Sequence, residues 1–381
     1  MKVHVFANTS CIYRNLDCSR IINYFHANNT IIVDNIENAD FVVLITCAFR
    51  EDCENRCWKL IHEISKKKRE IIVGGCLPEI SSEFSNKYIG KFFTTRNIND
   101  IDKLFPHFKV KFCDINDANF FPTSYKQELN SNLITSHKIS CRNLRLVKIS
   151  ETAFLRIGRG CLGNCSYCAI KKAIGKHISK ALSQCLNEYK TLLEKGYCNI
   201  CISGDDTGAY GKDINLEFPD LLRVLFENDP TNYVKWIFED IYPKWIIEYS
   251  HTFIKYANKT KVIQAVIQSG SERILELMYR KIHLEEYKKI FKKLKEINNQ
   301  LIIEAQIIIG FPTETQGEFF DTLNLIKEIC CEFVFISGFS ERKGTQAELM
   351  EGKLTQEEII KRIEVAKDFF NKNNIKWSCH I

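Results

Sequence analysis

Three cysteines lie close together in the stretch 158–168, which reads GRGCLGNCSYC. Cys161, Cys165 and Cys168 have C-x3-C-x2-C spacing and lie between a predicted strand, Ala153–Ile157, and a short basic loop. Three thiolates can bind three irons of a 4Fe–4S cubane and leave the fourth iron open. Structural zinc prefers four ligands, and a disulfide is disfavoured in a chain without a secretory signal. The spacing therefore favours an iron–sulfur cluster, and coincidence in a cysteine-rich chain is the alternative.

The cysteine content supports metal or redox chemistry. The sequence has 381 residues, of which 17 are cysteines, and its N-terminus enters a strand pattern directly, with no apolar signal-peptide segment. We therefore expect a cytoplasmic protein, in which so many cysteines indicate metal binding rather than disulfides. No apolar run is long enough to span a membrane. The net charge of +6 permits an anionic partner such as RNA without requiring one.

Residues 1–110 alternate short apolar strands with amphipathic helices. This alternation predicts an α/β fold that begins with a small doubly wound, flavodoxin-like domain. Ligands bind beyond the carboxyl ends of the strands in such sheets, and Cys11, Cys47 and Cys76 each follow a predicted strand. Their convergence at one edge would support a second cluster with an open iron. Core packing is the alternative, because cysteine is often buried.

The remainder of the chain divides into three predicted segments. Residues 111–150 are irregular and predict a linker that ends in a strand, Leu144–Ile149. Residues 151–345 contain six predicted strands with helices between them, which indicates a partial (β/α)6 barrel with its chemistry at the carboxyl ends of the strands. Residues 346–381 predict a C-terminal helical extension.

Further motifs, taken together with the cysteines, resemble the radical S-adenosylmethionine methylthiotransferases over nearly the whole chain. The settings of the three strand-end cysteines, TSC, LITCA and GGC, are similar to those of the family's auxiliary-cluster cysteines. Each downstream motif alone would be weak, because glycines at strand ends are usually turns. Their order along the chain matches the family in these segments: Ile202–Gly211, Gln268–Ser271, Met278–Arg280, Ile308–Glu314 and Phe339–Thr345.

The resemblance implies two 4Fe–4S clusters and S-adenosyl-L-methionine as cofactors. The closely spaced cysteines would bind the cluster whose open iron holds the amino and carboxylate groups of S-adenosylmethionine, and the strand-end cysteines would bind the auxiliary cluster. Tyr167 would lie against the adenine. The other residues that the resemblance places at the cofactor are Ser203, Gly204, Asp205, Gln268, Arg280, Gly310 and Glu314. For Asp205, Arg280 and Glu314, a surface salt bridge is the alternative.

The implied reaction inserts a methylthio group into an unactivated C–H bond. An electron from the first cluster, supplied by an external flavodoxin-like donor, would cleave S-adenosylmethionine to methionine and a 5′-deoxyadenosyl radical. A second S-adenosylmethionine would methylate sulfur carried by the auxiliary cluster. Such a radical needs a closed pocket that excludes water, while the cofactor supplies the difficult chemistry.

The chain also departs from the family pattern. Ile45 and Thr46 precede Cys47 where an Asn is common, Ser10 replaces a Gly, Asp205 and Asp206 replace the usual Gln region, and no Tyr follows Arg280. The family's C-terminal RNA-binding barrel, the TRAM domain, has no counterpart, because only about 35 residues follow Thr345 and a five-stranded barrel needs more.

This difference affects the expected substrate. A polypeptide, either a protein or a ribosomally synthesised peptide, is favoured, and an adenosine of tRNA is the alternative. A second alternative keeps the radical chemistry but forms a thioether or a ring. A third is an iron–sulfur protein that only transfers electrons.

Overall fold

The computed structural model describes residues 1–7, 11–121, 151–229 and 233–380. The chain divides into two compact units, one of Met1–Arg142 with Cys168–Gly175 and the other of Asn143–Tyr167 with Lys176–Ile381. Ser10, the predicted strand Leu144–Ile149 and most of the predicted linker lie outside the described residues. None of the helices in the described part has the length and apolar character needed to cross a bilayer.

The first unit is built on a parallel sheet of five strands. The strands are β1 (Lys2–Ala7), β2 (Ile31–Ile32), β3 (Phe41–Thr46), β4 (Glu70–Gly75) and β5 (Lys91–Phe92). Their order is β2-β1-β3-β4-β5, and every pairing is parallel. This is the order of flavodoxin-like sheets, so the predicted fold class is confirmed.

Helices cover both faces of this sheet. All six residues of β3, FVVLIT, are buried, as expected for a central parallel strand. Because side chains alternate along a strand, Phe41, Val43 and Ile45 pack in one apolar core while Val42 and Leu44 pack in another. The helices of the unit are Ile12–Ala27, Glu51–Lys66, Leu77–Ile80, Phe84–Lys87, Ile101–Leu104 and Ile170–Ile174, with 3₁₀ turns at Ile98–Asp100 and Phe112–Asp114.

The second unit contains a larger parallel sheet and a small two-stranded antiparallel sheet. Its strands are β6 (Thr152–Arg156), β7 (Gly158–Arg159), β8 (Ile178–Ser179), β9 (Asn199–Ser203), β10 (Lys235–Ile241), β11 (Thr260–Gln268), β12 (Ile302–Ile309), β13 (Phe333–Gly338) and β14 (Lys376–His380). The large sheet has the order β14-β13-β12-β11-β10-β9-β6, and β7 pairs with β8 in antiparallel fashion.

The six predicted strands of the barrel are present, and the structure adds a seventh. Strand β14 lies at the end of the chain and pairs in parallel with β13, with Trp377 opposite Val334. The predicted C-terminal helix, Gln356–Lys372, leads into it. The other helices are Leu182–Glu194, Phe218–Glu227, Pro243–Glu248, Ser250–Lys255, Glu272–Leu277, Leu284–Ile297 and Gln316–Glu328, with 3₁₀ turns at Thr207–Ala209, Ala257–Lys259 and Gln346–Leu349.

Candidate active site

The loop that carries Cys161 and Cys165 follows β6 and β7. Gly160 adopts a φ of 77°, which favours glycine, and its N–H donates to Asp205 Oδ2 at 2.8 Å. Gly163 N–H donates to Cys161 Sγ at 3.1 Å, and a Cβ at Gly163 would lie only 3.2 Å from that sulfur. The glycines therefore allow the backbone to turn closely around the sulfur atoms. Asp205, predicted as a cofactor contact, holds this loop.

Asp206 is a second anchor of the loop, which the sequence had suggested only as part of a departure from the family pattern. Its buried carboxylate accepts from Leu162 N–H at 3.1 Å and from Trp245 Nε1–H at 2.8 Å. Cys161 Sγ lies 3.4 Å from Asp206 Oδ2 as a thiol donor. If Cys161 binds iron as a thiolate, as predicted, it gives up this proton, and the two N–H donors remain on Asp206.

Arg280 lies beside the other sulfur of the loop. Its Nη1 is 3.3 Å from Cys165 Sγ, and Nη2 donates to the backbone carbonyl of Val266 on β11. The guanidinium carbon is 4.0 Å from the centroid of the Tyr242 ring, a cation–π distance. Arg280 is buried and always charged, so it supplies a fixed positive charge next to the Cys165 sulfur. Its predicted contact with S-adenosylmethionine stays a prediction.

Tyr167 lies between Cys165 and Cys168 in a segment that is fixed on both sides. The neighbouring Ser166 donates through Oγ to Leu277 O at 2.7 Å and accepts from Ala347 N–H at 2.8 Å. The Tyr167 ring is 6.4 Å from the Phe311 ring at an interplanar angle of 81°. This T-shaped pair brings Tyr167 together with the segment that contains Gly310 and Glu314, as expected if both face the adenine.

Glu314 is buried rather than part of a surface salt bridge. Its Oε2 accepts from Gly310 N–H and from Arg362 Nη1, each at 2.9 Å. Its Oε1 has no hydrogen-bond partner within the described part of the chain. Burial raises the pKa of Glu314 to about 7, against the opposing effects of Gly310 and Arg362. The carboxylate thus closes the turn after β12 and ties it to the last helix.

The remaining predicted contacts lie at the carboxyl ends of β9 and β11. Ser203 ends β9 and is buried, and its Oγ has no partner among the residues that the structure describes. A Cβ on Gly204 would be 3.5 Å from Gly158 O, so this glycine lies close to β7. The loop that carries Cys161 and Cys165, called the cluster loop below, follows β7 directly. Gln268 ends β11 with a φ of 78°. All three are in the second unit, as Cys161 and Cys165 are.

The strand-end cysteines come together in the first unit. Cys11 precedes the helix Ile12–Ala27, Cys47 directly follows β3, and Cys76 directly follows β4. Burial raises the pKa of Cys11, and the charges of Cys47 and Cys76 raise it further while Arg14 lowers it. Such mutual electrostatic effects require that the three thiols are near one another. The structure therefore gathers them at the carboxyl edge of the sheet.

Two further side chains reach this group that the sequence had not singled out as ligands or partners. Cys53 hydrogen-bonds to Cys47, and this bond is the main reason why the pKa of Cys53 is raised. Buried Arg14 forms an ion pair with Asp17 at 3.2 Å and adds positive charge next to Cys11. In the sequence, the only sign of this contact is that Cys53 lies six residues after Cys47, at the start of a helix.

The donor sets fit iron–sulfur clusters better than a single metal ion. Within the described ranges, no three His, Cys, Asp or Glu side chains are arranged to bind one ion. A cubane binds each thiolate at a different corner, so its ligands stand farther apart than those of one ion. Thiols, nearby backbone N–H groups and an adjacent arginine are the surroundings that such a cluster needs.

Sequence comparisons place this arrangement in a class. Residues 155–326 match the radical SAM superfamily, and residues 4–91 match the uncharacterized protein family UPF0004. Among solved structures, the radical S-adenosylmethionine methyltransferase TsrM of Kitasatospora setae is similar, with a TM-score of 0.60 at 10% identity over 91% of this chain and 76% of that one. At this identity the likeness shows the fold alone. The protein is a radical S-adenosylmethionine enzyme, a class that uses a 4Fe–4S cluster and S-adenosylmethionine.

Two curated relatives define the family more closely. A tRNA-2-methylthio-N(6)-dimethylallyladenosine synthase of Hydrogenobaculum sp. (strain Y04AAS1) is 31% identical over 349 residues, which cover 88% of this chain and 77% of the relative. A ribosomal protein uS12 methylthiotransferase of Clostridium botulinum (strain Loch Maree / Type A3) is 28% identical over 341 residues, covering 87% and 74%. The chain belongs to the radical S-adenosylmethionine methylthiotransferases, as the sequence motifs predicted.

Proposed function

We propose that this enzyme inserts a methylthio group into an unactivated C–H bond of a polypeptide in the cytoplasm, with an auxiliary 4Fe–4S cluster at Cys11, Cys47 and Cys76. The observation that carries the proposal is the meeting of these three thiols at one edge of the first sheet, in addition to the cysteine loop in 158–168. Sulfur transfer needs a place to hold sulfur, and a cluster on this second set of three thiolates would provide it.

The chain's own residues have defined tasks in this reaction. When bound, the cluster at Cys161, Cys165 and Cys168 and S-adenosylmethionine supply an oxidant able to take hydrogen from an unactivated carbon. Asp205 and Asp206 hold the loop in place. Arg280 offsets negative charge at Cys165. An external flavodoxin-like protein would provide the electron.

The cofactor pocket is supported by a second group of residues. Tyr167 and Phe311 supply apolar surface that excludes water, and Gly310 and Glu314 fix the turn that carries Phe311. Ser203, Gly204 and Gln268 lie at the strand ends that face this region, where they would bind the polar parts of the cofactor. We propose each of these contacts with S-adenosylmethionine together with the function.

A polypeptide and a tRNA are the two candidate substrates. The uS12 methylthiotransferase is named for a protein substrate, and the carboxylates within strands β10 and β12, Glu239, Asp240 and Glu304, favour a cationic side chain over a phosphate-rich ligand. The tRNA candidate is supported by the name of the relative that is 31% identical. A thioether-forming or cyclising reaction stays a further alternative.

Anaerobic assays separate these candidates. The reconstituted enzyme is incubated with S-adenosylmethionine and dithionite, and 5′-deoxyadenosine is measured. Absence of 5′-deoxyadenosine above background would leave only an electron-transfer role. Protein and tRNA from a deletion strain are then treated with the enzyme, digested and analysed by mass spectrometry. Gain of one sulfur and one methylene on a peptide supports the proposal, the same gain on a nucleoside assigns tRNA, and loss of hydrogen indicates ring formation.

The auxiliary cluster has its own test. The variant Cys47→Ala should lose about half of the bound iron, because one of two clusters is lost, and should keep 5′-deoxyadenosine formation while the product lacks sulfur. The exposed Cys113 offers a matched control, and Cys113→Ala should retain iron and product. Full iron content in Cys47→Ala would contradict the assignment.

A further inference from the structure

Polar side chains follow one another across the large sheet of the second unit. In a parallel sheet, residues in register lie on the same face. Arg156 on β6 is opposite Ser203 on β9, and Gln264 on β11 is opposite Glu304 on β12. Between these pairs, Phe238 on β10 is opposite Ile202 on β9, so the next residue of β10, Glu239, lies beside Ser203. We call Arg156, Ser203, Glu239, Asp240, Gln264, Glu304 and Gln306 the polar layer.

Electrostatics show that the carboxylates of the polar layer share one region. Burial raises the pKa of the Cys201 thiol well above its ordinary value, and the negative charges of Glu239, Asp240 and Glu304 raise it further. Cys201 lies two residues before Ser203 on β9 and so shares its face. Three carboxylates from two strands, β10 and β12, therefore act on one buried point of the sheet.

Amide side chains connect these carboxylates. Gln264 Nε2 reaches Glu304 Oε2 at 3.5 Å, and Gln264 Oε1 accepts from Asp240 N–H at 3.2 Å. Gln306 Nε2 donates to Asp240 Oδ1 at 3.0 Å and to Gln264 Oε1 at 3.3 Å. The amide donors are used within the layer, so what it offers to a ligand is acceptor oxygens.

Two oxygens in the polar layer have no donor among the described residues. Ser203 Oγ is fully buried and has no hydrogen-bond partner there, and its register places it beside Arg156 and Glu239. Gln306 uses only its amide nitrogen. A network that served stability alone would satisfy the buried Ser203 hydroxyl, and the oxygen of the half-buried Gln306 is open to a ligand that donates hydrogen bonds.

One part of the polar layer is less buried than the rest. Glu239, Gln264 and Glu304 are buried, whereas Asp240 and Gln306 are only half-buried, so the outer end of the layer is accessible. Val266, whose carbonyl accepts from Arg280, lies two residues beyond Gln264 on β11. A group bound at Asp240 and Gln306 would thus lie in the same part of the unit as Cys165, the neighbour of Arg280.

We propose that the polar layer is the substrate subsite, in which Asp240, Gln306 and the buried carboxylates bind a cationic side-chain group, an ammonium or a guanidinium. This inference rests on the proposed function and narrows its substrate to a polypeptide with a lysine or arginine at or near the modified residue. Asp240 supplies the charge, and Gln306 Oε1 accepts a further hydrogen bond. The excess of carboxylates disfavours anionic ligands.

Calorimetry on the anaerobic holoenzyme, saturated with S-adenosylmethionine and without reductant, tests the subsite. The probes are N-acetyl-arginine amide, N-acetyl-lysine amide, the neutral isostere N-acetyl-citrulline amide and N-acetyl-glutamate amide. A cationic probe should bind about tenfold or more tightly than citrulline or glutamate, because a hydrogen-bonded charge discriminates by about that factor. Equal affinity for the neutral probe would overturn the proposal.

Variants connect the binding to named residues. Asp240→Asn should weaken the binding of the cationic probe about tenfold and leave the affinity for the citrulline probe unchanged. Asparagine is a suitable replacement because it tolerates the φ of 49° at this position. Gln306→Leu should lower the affinity for every probe that donates a hydrogen bond to Gln306 Oε1. Asp368→Asn removes an exposed carboxylate on the last helix and is the matched control, with no change expected. An unchanged affinity in Asp240→Asn would contradict the subsite.

Two competition experiments complete the test. If the cationic probe displaces S-adenosylmethionine, the layer binds the cofactor's own cation and the proposal fails. If adenosine displaces the cationic probe and binds more tightly than the probe does, the polar layer accepts a base. The substrate is then tRNA, and this result also overturns the proposal. Because no turnover is measured, a lack of 5′-deoxyadenosine would refute the proposed function without affecting probe binding, so the two failures are distinguishable.

Discussion

The guanidinium nitrogen Nη1 of Arg280 lies 3.3 Å from Sγ of Cys165. Because Arg280 is buried and held by Tyr242 and by the carbonyl of Val266, its charge would stay in place when the cluster proposed at Cys165 changes its charge. A fixed cation at this distance stabilises the more negative, reduced state more than the oxidised one. Arg280 is therefore expected to set how easily the cluster accepts its electron.

Replacement of Arg280 tests this role. Arg280→Met should lower the reduction potential of the cluster by about 60 mV or more, which is a tenfold change for a one-electron couple, and should slow 5′-deoxyadenosine formation. Arg280→Lys retains a charge and should shift the potential less. Redox titration followed by electron paramagnetic resonance measures both. Arg223→Met, at an exposed arginine, is the control, and an unchanged potential in Arg280→Met would contradict the argument.

Glu314 predicts a pH dependence of stability. Burial raises its pKa from 4.5 to about 7 in the folded chain, so the folded state binds more protons than the unfolded state between these values. Stability should therefore decline as pH rises from about 4.5 to about 7 and level off above. The total change is at most roughly 3 kcal/mol. Urea unfolding of the iron-free chain at several pH values measures the slope.

Variants of this pair check the assignment. Glu314→Gln has no proton to bind and should lose that pH slope. Arg362→Met removes a cation that lowers the pKa of Glu314, so the decline should extend to higher pH. If wild type and Glu314→Gln have parallel stability curves between pH 4.5 and 7, another group is responsible for any slope.

A hydrogen-bonded chain behind the cluster loop gives a third prediction. Ser179 Oγ lies 2.5 Å from Asp213 Oδ1 and accepts from Gly211 N–H at 2.8 Å. The same oxygen is 3.1 Å from His177 Nε2, and His177 Nδ1 is 3.3 Å from Gly160 O. The single proton of Ser179 goes to Asp213, so His177 Nε2–H is the donor to Ser179. Nδ1 of a neutral ring then carries no proton, so its approach to Gly160 O is a packing contact rather than a hydrogen bond. Ser179 and His177 thus lie between a surface carboxylate and the backbone next to Cys161.

Loss of the Ser179 hydroxyl should be costly. Ser179→Ala removes three hydrogen bonds and should lower the free energy of unfolding by about 1–3 kcal/mol. It should also reduce iron loading, because Gly160 loses its fixed neighbour. Ser65→Ala, which removes one hydrogen bond to Ile61 O within a helix, should cost less than 1.5 kcal/mol and leave iron unchanged. Equal effects of the two variants would show that the chain has no special role.

The sequence predicted those features that depend on local pattern. Alternating strands and helices indicated both sheets, and strand ends indicated where Cys11, Cys47 and Cys76 meet. It did not predict β14, because its five residues, KWSCH, mix polar and apolar types and are stabilised by pairing with β13. A strand of that kind is defined by its neighbour rather than by its own propensity.

The polar layer was also not predicted, for a related reason. Glu239, Gln264 and Glu304 each interrupt an apolar strand, and in the sequence each looks like an isolated polar residue. Only the register of β10, β11 and β12 brings them onto one face. The family resemblance placed Arg280 at the cofactor, but its direct approach to Cys165, 115 positions away, is seen only in the tertiary structure.

Gly310 provides the last prediction, because the chain contains a matched glycine. Gly310 and Gly196 both have a φ of 81°, a conformation that costs a side chain of the order of 1–3 kcal/mol. A Cβ at Gly310 would lie 2.4 Å from Ile359 Cγ1 in the last helix, whereas a Cβ at Gly196 meets nothing within 4 Å. The two positions thus share the backbone strain and differ in the steric overlap.

Alanine at each position separates the two effects. Gly196→Ala should cost about 1 kcal/mol of folding free energy. Gly310→Ala should cost about 1–3 kcal/mol more, since overpacking adds that amount. It should also weaken S-adenosylmethionine binding, because the helix that carries Arg362 would shift and Glu314 would lose its fixed partner. Urea unfolding and calorimetry with S-adenosylmethionine measure the two consequences. If both alanine variants lose the same stability and bind the cofactor equally, the contact between Gly310 and Ile359 is not what fixes this turn.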